Sequence, residues 1–329
     1  MEKKKRVGVV GCGVISDVHI PLIKKKNDLV AVCDTKLELV KKIGQENSCN
    51  YYESFTQMLE KEELDVVHIL TPHNIRYEIA ELACKKGVHF IIEKPLAHTY
   101  EEANKLINLL KLYPDVEATV VYQNRRNKSY VKLKDELENL KCGKILGLEA
   151  TVFWRRDLNY YKNAPWRGKK IESGGGLLIN QAIHTIDYLQ DIGGEIKNIS
   201  GEIFKLKNME LDVEDTAAIK LEFENGVEAF FSGTLSNFSN TSISLKVYCQ
   251  DGTYTIRDGK LFLNKDGEEK VLERDEKGEI KDYYGASHEM EIKSFYDSLG
   301  KGEKLYLPLN ESLKSLKIIT DIYKRGDLK

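Results

Sequence analysis

A short apolar strand near the start of the chain breaks into a glycine-rich turn and continues as a helix. Residues 6–13 read Arg-Val-Gly-Val-Val-Gly-Cys-Gly, and a helical pattern follows directly. In the spacing Gly11-x-Gly13-x-x-Ser16, the first glycine permits a tight turn, the second lets the backbone approach a pyrophosphate, and the small serine packs helix against strand. The free N–H groups at the start of such a helix face the phosphates. The feature therefore predicts a parallel, dinucleotide-binding sheet.

An acidic residue follows the second predicted strand. That strand covers residues 29–33 and ends at Asp34, about where a ribose-binding carboxylate is expected after such a turn. A carboxylate here accepts hydrogen bonds from the ribose hydroxyls and repels a 2′-phosphate. We therefore expect NAD rather than NADP, although Thr35 and Lys36 follow directly and would soften that exclusion.

Strand and helix signals alternate over the first 122 residues. The further predicted strands are 65–70, 88–93 and 117–122, and the predicted helices are 36–46, 53–61, 75–86 and 99–111. Strands separated by helices of this length indicate a doubly wound parallel sheet of the Rossmann type. Two strands stop at Thr71-Pro72 and Glu93-Lys94-Pro95, and such sheets bind ligands beyond the carboxyl ends of their strands. A Glu-Lys pair in that position can also be a solvated ion pair.

The pattern changes after residue 122. A helix is predicted over 128–141, followed by strands over 146–154, 196–205, 216–223, 227–235 and 242–249. The turn Glu224-Asn225-Gly226 is typical of a β-hairpin, and consecutive strands without crossover helices indicate an open, mostly antiparallel sheet. An apolar helix is predicted over 177–189, a turn and exposed loop over 265–281, and closing helices over 286–299 and 309–324.

The fold class is therefore α/β, with two domains. We expect an NAD(P)-binding domain over 1–122 and a substrate and oligomerisation domain over 123–329. The last helix is expected to pack back on the first domain.

Composition excludes several classes of protein. The 329 residues include 50 basic and 52 acidic side chains, for a formal net charge of −2, so no overall field attracts nucleic acid or an anionic membrane. The apolar run after the lysine-rich start is too short for a signal peptide or a membrane span. We expect a cytoplasmic protein.

Neither cysteines nor histidines show the spacing of a metal site. The six cysteines include no Cys-x-x-Cys pair, so buried, reduced thiols are expected. His19, His68, His89 and His98 have no ligand spacing either. We predict that the protein binds no metal.

Six motifs occur in a fixed order along the chain. They are Gly11-Cys12-Gly13-Val14-Ile15-Ser16, Thr71-Pro72, Glu93-Lys94-Pro95, Tyr122-Gln123-Asn124-Arg125, Trp166-Arg167-Gly168 and Gly174-Gly175-Gly176-Leu177-x-x-Asn180-x-x-x-His184-x-x-Asp187. In order and spacing, over nearly the whole chain, they resemble the glucose-fructose oxidoreductase/inositol dehydrogenase (Gfo/Idh/MocA) family of NAD(P)-dependent sugar oxidoreductases. The resemblance implies a dinucleotide domain, an α/β domain with an open antiparallel sheet, and reversible oxidation of a sugar or cyclitol carbinol.

The resemblance also implies which residues take part. Oxidation of a carbinol removes a hydride from carbon and a proton from oxygen, so a base must reach that hydroxyl. By resemblance, Lys94 and His184 do this work, with Lys94 as the main acid and base. The implied cofactor contacts are Gly11, Cys12, Gly13, Val14, Ile15, Ser16, Asp34, Thr71, Pro72, Glu93, Lys94, Gln123, Trp166 and Arg167. The expected substrate contacts are Lys94, Arg167, Asn180, His184 and His288.

Four positions depart from the family pattern or have a role that stays open. Asn180 stands four residues before His184, where many relatives carry Asp, so an amide rather than a carboxylate would orient the histidine. The same asparagine occurs in relatives that act on nucleotide-linked or amino sugars, which favours such a sugar or sugar acid as substrate. Asp187 would either replace the missing partner or lie exposed on its helix. Arg76 stands where many relatives carry His, and it would reflect either altered substrate contacts or a change without functional effect. Glu93 would orient the Lys94 ammonium group.

Two other interpretations of the same residues stay open. One is a non-catalytic, dinucleotide-sensing regulator on this fold, which the presence of both Lys94 and His184 disfavours. The other is a sugar lyase or glycosidase that oxidises its substrate transiently and recycles NAD in place. The expected partners of an enzyme are a small sugar and further copies of the chain, because an open sheet face favours a homodimer or homotetramer.

Overall fold

Two α/β units make up the chain in the computed structural model, which describes residues 3–207, 210–276 and 286–325. One unit consists of Met1–Tyr122 and Gly278–Leu313, and the other of Gln123–Lys277 and Lys314–Lys329. The chain thus leaves the first unit after residue 122, returns to it at residue 278 and leaves it again after residue 313. The division of work between the two domains stays a prediction.

The helices and strands follow most of the predicted pattern, but the strands Gly252–Arg257 and Lys260–Lys265 were not predicted. The helices are α1 (Ser16–Lys26), α2 (Leu37–Asn47), α3 (Phe55–Lys61), α4 (Arg76–Lys85), α5 (Tyr100–Leu112), α6 (Lys128–Glu138), α7 (Leu158–Lys162), α8 (Lys170–Ser173), α9 (Leu177–Asn180), α10 (Ile183–Gly193), α11 (Ser287–Ser298) and α12 (Glu311–Arg325). The strands are β1 (Arg6–Val10), β2 (Asp28–Cys33), β3 (Asn50–Tyr52), β4 (Val66–Ile69), β5 (His89–Glu93), β6 (Ala118–Val121), β7 (Ile145–Phe153), β8 (Ile196–Phe204), β9 (Thr216–Phe223), β10 (Glu228–Thr234), β11 (Ser244–Cys249), β12 (Gly252–Arg257), β13 (Lys260–Lys265) and β14 (Glu268–Arg274). Within the described ranges, no helix combines the length and apolar character that crossing a membrane requires.

The first unit contains a six-stranded sheet in the order β3-β2-β1-β4-β5-β6, and every pair is parallel. Its central strands are apolar and almost entirely buried, as expected when helices cover both faces of a parallel sheet. The strand order reverses beside β1 and β4, which is where doubly wound sheets bind ligands. The predicted Rossmann-type sheet is confirmed, with the three-residue β3 as an addition.

The second unit contains an eight-stranded sheet in the order β14-β13-β12-β11-β7-β10-β9-β8. β7 and β10 pair in parallel, and all other neighbours are antiparallel. Buried and exposed residues alternate along β9 and β10, and α6 and α10 pack against strands of this sheet. The predicted mostly antiparallel sheet is confirmed.

The exposed loop predicted over 265–281 is wrong where the structure describes it, because β13 and β14 form a hairpin there. The connections Asp258-Gly259 and Asp266-Gly267 have positive φ at both residues, the backbone of a two-residue hairpin turn. The sequence carried this Asp-Gly signal. Strand β14 was not predicted because its charged residues give no alternation of apolar and polar positions, and edge strands often carry such charged residues. Residues 277–281 lie outside the described residues.

The helix predicted over 177–189 is divided. α9 ends at Asn180 and α10 begins at Ile183. Asn180 and His184 therefore lie on two consecutive short helices rather than on one continuous helix.

We expect Gly11→Ala to destabilise the protein. Gly11 has a φ of +96°, and a Cβ there would lie 2.7 Å from the carbonyl carbon and oxygen of Leu70. Backbone strain and this clash should lower the free energy of unfolding by about 2 to 4 kcal/mol, measured by urea denaturation. Gly13→Ala is the matched control, because its Cβ would meet no atom of the described residues within 4 Å. Equal losses in the two variants would contradict the assignment of the strain to Gly11.

Candidate functional site

The glycine turn and Asp34 form one hydrogen-bonded unit. The Gly11 N–H donates to the Cys33 carbonyl at 2.8 Å, and the Cys12 N–H donates to Asp34 Oδ2, also at 2.8 Å. The other carboxylate oxygen accepts from the Lys36 N–H at 2.9 Å. These bonds fix Asp34 beside the turn, as a ribose-binding carboxylate requires.

Open space lies over the turn, and a buried hydroxyl lies at the end of β4. A Cβ at Gly13 would meet no atom within 4 Å in the part of the chain that the structure describes, and Ser16 Oγ donates to the Gly13 carbonyl at 2.6 Å. The buried Thr71 hydroxyl has no hydrogen-bonding partner among the described residues. A backbone cradle and a buried hydroxyl of this kind fit a dinucleotide. The other cofactor contacts predicted for this region are the buried Cys12, the half-buried Ile15 and Pro72, and the exposed Val14.

The half-buried Lys94 follows β5, and Arg76 holds the backbone on both sides of it. Arg76 is 3% exposed, and its guanidinium donates to the carbonyls of Glu93 and Pro95. It also donates twice to the Thr71 carbonyl, at 3.0 and 2.9 Å. Burial lowers the pKa of Arg76 to about 10. One buried cation therefore joins the ends of β4 and β5, a structural role for Arg76 that the sequence did not indicate.

The Glu93 side chain belongs to a buried group that we call the Glu93 network: His19, His68, Glu93, His288 and Tyr296. Glu93 Oε1 lies 3.1 Å from His19 Nε2 and 3.3 Å from His288 Nε2. His19 Nδ1 lies 2.7 Å from His68 Nδ1, and His68 Nε2 lies 2.8 Å from the Tyr296 hydroxyl. With three neutral histidines, every one of these contacts can be a hydrogen bond donated toward Glu93, starting from the tyrosine.

The network favours the ionised form of Glu93 and the neutral forms of His19 and His68. Burial alone would raise the pKa of Glu93, but the hydrogen bonds from His19 and His288 outweigh that effect and hold the pKa well below its usual range. Burial lowers the pKa of His68 well below the ordinary histidine value, and the nearby His19 lowers it further. Burial also lowers the pKa of His19, against the opposing effect of Glu93.

Sequence reasoning missed the network because its members are far apart along the chain. Glu93 and His288 are separated by 195 residues, and no motif joins them. The possible ligand atoms of His19, Glu93 and His288 lie within 4.8 Å of one another, a spacing at which a metal ion could bind. Their mutual hydrogen bonds account for the grouping, and the absence of a metal stays a prediction. His288 is 1% exposed, and its predicted substrate contact stays untested.

The triple glycine of the second unit packs against its own chain. A Cβ at Gly175 would clash with the Tyr323 hydroxyl, and one at Gly176 would clash with the Glu214 carbonyl. The buried Glu214 carboxylate accepts from the N–H groups of Gly176 and Leu178, at 2.8 and 2.9 Å, and from the Tyr323 hydroxyl at 2.7 Å. Burial raises the pKa of Glu214. Glu214 and Tyr323 thus shape the loop, although neither lies in a recognisable motif.

Asn180 and His184 follow this loop. Asn180 Nδ2 donates to the carbonyls of Gly175 and Gly176, at 2.9 and 3.2 Å, so the amide fixes the loop in front of α9. His184 is 8% exposed near the start of α10. Its orientation by Asn180 stays a prediction.

Asp187 is buried and paired, so the expectation of an exposed helix residue is wrong. It is 1% exposed, and its two oxygens lie 2.7 and 2.9 Å from Arg125 Nε and Nη2. Burial by itself would lower the pKa of Arg125, but the hydrogen bond to Asp187 and the charge of Asp191 raise it. This pair anchors the helix that carries His184. In the same turn as Arg125, the predicted cofactor contact Gln123 is buried, and its Oε1 has no partner within the described part of the chain.

Trp166 and Arg167 lie in a short 3-10 turn, Pro165–Gly168. The guanidinium carbon of Arg167 lies 4.5 Å from the ring centre of Tyr160 and 5.5 Å from that of Trp166. These are cation–π distances. The motif is therefore an ordered aromatic and cationic element of the second unit.

Models of one protein family match most of the chain. Residues 5–120 match the GFO_IDH_MocA model, which describes an oxidoreductase family with an NAD-binding Rossmann fold. Residues 130–255 match the GFO/IDH/MocA C-terminal domain.

Several individual proteins are similar to this chain over most of their length. Myo-inositol 2-dehydrogenase of Thermotoga maritima is 26% identical over 317 residues, which cover 91% of this chain and 89% of that protein. D-glucoside 3-dehydrogenase of Escherichia coli is 25% identical over 284 residues, 80% of each chain. The crystal structure of the WlbA dehydrogenase from Bordetella pertussis in complex with NADH and UDP-GlcNAcA is similar with a TM-score of 0.85 and 27% identity, and covers 98% of this chain and 96% of that one.

The Glu93 network predicts a loss of stability on mild acidification. Because burial lowers the pKa of His19 and His68, the unfolded chain binds more protons than the folded chain below the ordinary histidine value, about pH 6.5. The free energy of unfolding should therefore be fully retained above that pH and should decline as the pH falls. In His68→Gln this decline should be shallower by about 1 kcal/mol per pH unit, measured by urea denaturation between pH 7.5 and 5.

His98→Gln is the matched control, because His98 is partly exposed and its Nδ1 lies 2.6 Å from the Glu102 carboxylate in the first turn of α5. It should leave the pH dependence of wild type largely intact. A pH dependence in His68→Gln that runs parallel to wild type would contradict the assignment.

Proposed function

The chain belongs to the GFO/IDH/MocA oxidoreductase family, and on this premise we propose that it transfers a hydride between nicotinamide and a ring carbinol of a sugar, with Lys94 as the main acid and base. It is an NAD(P)-dependent dehydrogenase that acts on CH–OH groups, since the family model describes an NAD-binding oxidoreductase and two relatives are named dehydrogenases. We infer that residues 1–122 hold the cofactor and that the part from residue 123 carries the substrate contacts.

One observation carries the role of Lys94, namely its position after β5 between two carbonyls that Arg76 holds. A general acid or base must be placed within hydrogen-bond reach of the hydroxyl it serves, so a fixed backbone on both sides of the residue favours this work. When bound, the nicotinamide supplies the hydride acceptor or donor. Lys94 removes the hydroxyl proton during oxidation and returns it during reduction.

The cofactor is proposed to lie against the glycine turn and the ends of β1 and β4. Gly13 leaves room for the pyrophosphate, Asp34 accepts from the ribose hydroxyls, and Thr71 offers its buried hydroxyl. Trp166, Arg167 and Gln123 are the remaining proposed cofactor contacts.

His184 is proposed to share the proton transfer or to bind the substrate hydroxyl. The anchoring of its helix by Arg125 and Asp187 supports a fixed position for its ring. Asn180 supplies hydrogen bonds to the glycine loop without a negative charge, so His184 has no carboxylate at that position to stabilise its charged form. This favours Lys94 as the principal base.

The proposed substrate is a nucleotide-linked or amino sugar, or a sugar acid. The similar Bordetella enzyme was crystallised with UDP-GlcNAcA, and Asn180 occurs in this chain where a carboxylate is the commoner choice. We also propose a homodimer or homotetramer that forms through the exposed side chains of the second sheet, where Phe230 is 55% exposed.

We expect Lys94→Ala to lower kcat by at least about 100-fold while the dissociation constant for NADH changes by less than about threefold. Turnover is measured from nicotinamide absorbance with the best sugar from a screen of free and nucleotide-linked sugars, and NADH binding from fluorescence. Lys86→Ala, an exposed lysine on the same unit, is the control and should retain activity. Full turnover in Lys94→Ala would exclude the proposed role of Lys94. If wild type instead converted the sugar without net release of NADH, an enzyme that recycles NAD in place would be favoured.

Asp34→Asn should shift the cofactor preference toward NADP. The substitution removes the negative charge that repels a 2′-phosphate, and it retains an oxygen for the Cys12 N–H. The ratio of kcat/KM for NAD to that for NADP should fall by about 10-fold or more. Asp28→Asn, on the exposed start of β2, should leave the ratio unchanged, and an unchanged ratio in Asp34→Asn would exclude the ribose contact.

A further inference from the structure

A group of aromatic rings and guanidinium groups lies between β7 and α8 in the second unit. We call it the Tyr160 cluster: Trp154, Arg156, Tyr160, Trp166 and Arg167. The guanidinium carbon of Arg156 lies 5.0 Å from the ring centre of Trp154 and 5.2 Å from that of Tyr160. Arg167 approaches the same tyrosine ring to 4.5 Å. Two cations therefore share one aromatic ring.

The positive charge of the cluster has no acidic partner in the described ranges, where no carboxylate lies within 4.0 Å of either guanidinium group. Lys207 Nζ adds to the charge, since it donates to the Arg156 carbonyl at 2.9 Å. The nearby Asp215 is already occupied with four donors, which are the N–H groups of Leu206 and Lys207 and the hydroxyls of Thr216 and Ser236. Two cations beside one ring repel each other unless an anion joins them.

The cluster also contains a buried donor and a buried acceptor that the described residues do not satisfy. Arg156 Nε is buried with no acceptor, and Oε1 of the 7% exposed Gln181 has no donor within the described chain. Gln181 belongs to the cluster through its Nε2, which donates to the Tyr160 hydroxyl at 2.7 Å. Buried polar atoms nearly always have partners, so both atoms indicate that a polar ligand completes the site.

We propose that the Tyr160 cluster binds an anionic group of the sugar substrate, a carboxylate or a phosphate. Guanidinium groups form short, charge-assisted hydrogen bonds with both anions, and Gln181 Oε1 accepts from a sugar hydroxyl. Gln181 directly follows Asn180 and precedes His184 by three residues, so the anion site adjoins the proposed substrate helix. The inference deepens the proposed function and rests on it for the identity of the ligand as a sugar.

The proposal predicts selection by charge. A neutral hexose or inositol would leave Arg156 and Arg167 without a counter-charge, whereas a sugar acid or a nucleotide-linked sugar supplies one. The binding free energy therefore depends on the anion more than on the ring hydroxyls, and it weakens as salt screens the charges.

Binding is tested by isothermal titration of the NADH-saturated protein with four probes. They are a UDP-linked uronic acid, a UDP-linked neutral hexose, the free uronic acid and the free hexose. Wild type should bind at least one anionic probe more tightly than the free hexose by about 10-fold or more, and Arg156→Gln should remove about 10-fold to 100-fold of that affinity. Loss confined to the two UDP-linked probes identifies phosphate as the bound group, and loss confined to the two uronic acids identifies carboxylate.

Arg155→Gln is the matched control, because Arg155 is the exposed neighbour of Arg156 and its side chain donates one hydrogen bond, to the Phe238 carbonyl at 3.4 Å, among the described residues. It should retain the affinity of wild type for every probe. The proposal is overturned if Arg156→Gln weakens the binding of the free hexose as much as the binding of the anionic probes. It is also overturned if wild type binds the free hexose most tightly, or if the substitution lowers the affinity for NADH and leaves the affinity for the sugar unchanged. Failure of the proposed function looks different, since anionic probes would still bind through Arg156 while no sugar is oxidised.

Discussion

The stability of the first unit depends on the groups that offset the buried negative charge of Glu93. An unpaired carboxylate in such a place would cost several kcal/mol, and histidines from two helices, α1 and α11, remove that cost. The same residue gives its main-chain carbonyl to Arg76. Glu93 is thus held at its side chain by histidines and at its backbone by an arginine, which leaves the next residue, Lys94, with little freedom in its main chain.

The second unit supports its proposed functional residues in a similar way. Glu214 is a buried carboxylate that accepts from the backbone of the glycine loop, and Asp187 pairs with Arg125 beneath the helix of His184. In both units, buried charged groups bond to main chain or to each other near the ends of secondary-structure elements. Rigid support of this kind is what precise placement of an acid or base requires.

Local patterns in the sequence were sufficient for most of the fold. The glycine turn, the apolar parallel strands and the Asn225-Gly226 hairpin each depend on residues within a few positions of one another. Edge strand β14 was missed because its charged residues lack apolar alternation, and the break after Asn180 was missed because Gln181 and Ala182 carry no breaker signal.

The support of the candidate site could not be predicted in the same way. The sequence showed only that Arg76 departs from the family pattern. Its structural role was missed because its three carbonyl acceptors come from the ends of two different strands. The pairing of Arg125 with Asp187 and the contact of Glu93 with His288 join residues 62 and 195 positions apart. Contacts at such separations depend on tertiary packing, and the local periodicity of a single sequence does not predict them.

The discontinuity of the first unit gives the chain a particular order of synthesis. The unit is closed by α11 and by the Leu307 carbonyl, which accepts from the Thr119 hydroxyl, and both leave the ribosome after every strand of the second sheet. While the second sheet is being made, a nascent chain therefore carries the Rossmann-type sheet with one histidine fewer beside Glu93. During vectorial synthesis the first unit therefore completes its packing only after the strands of the second sheet have been made.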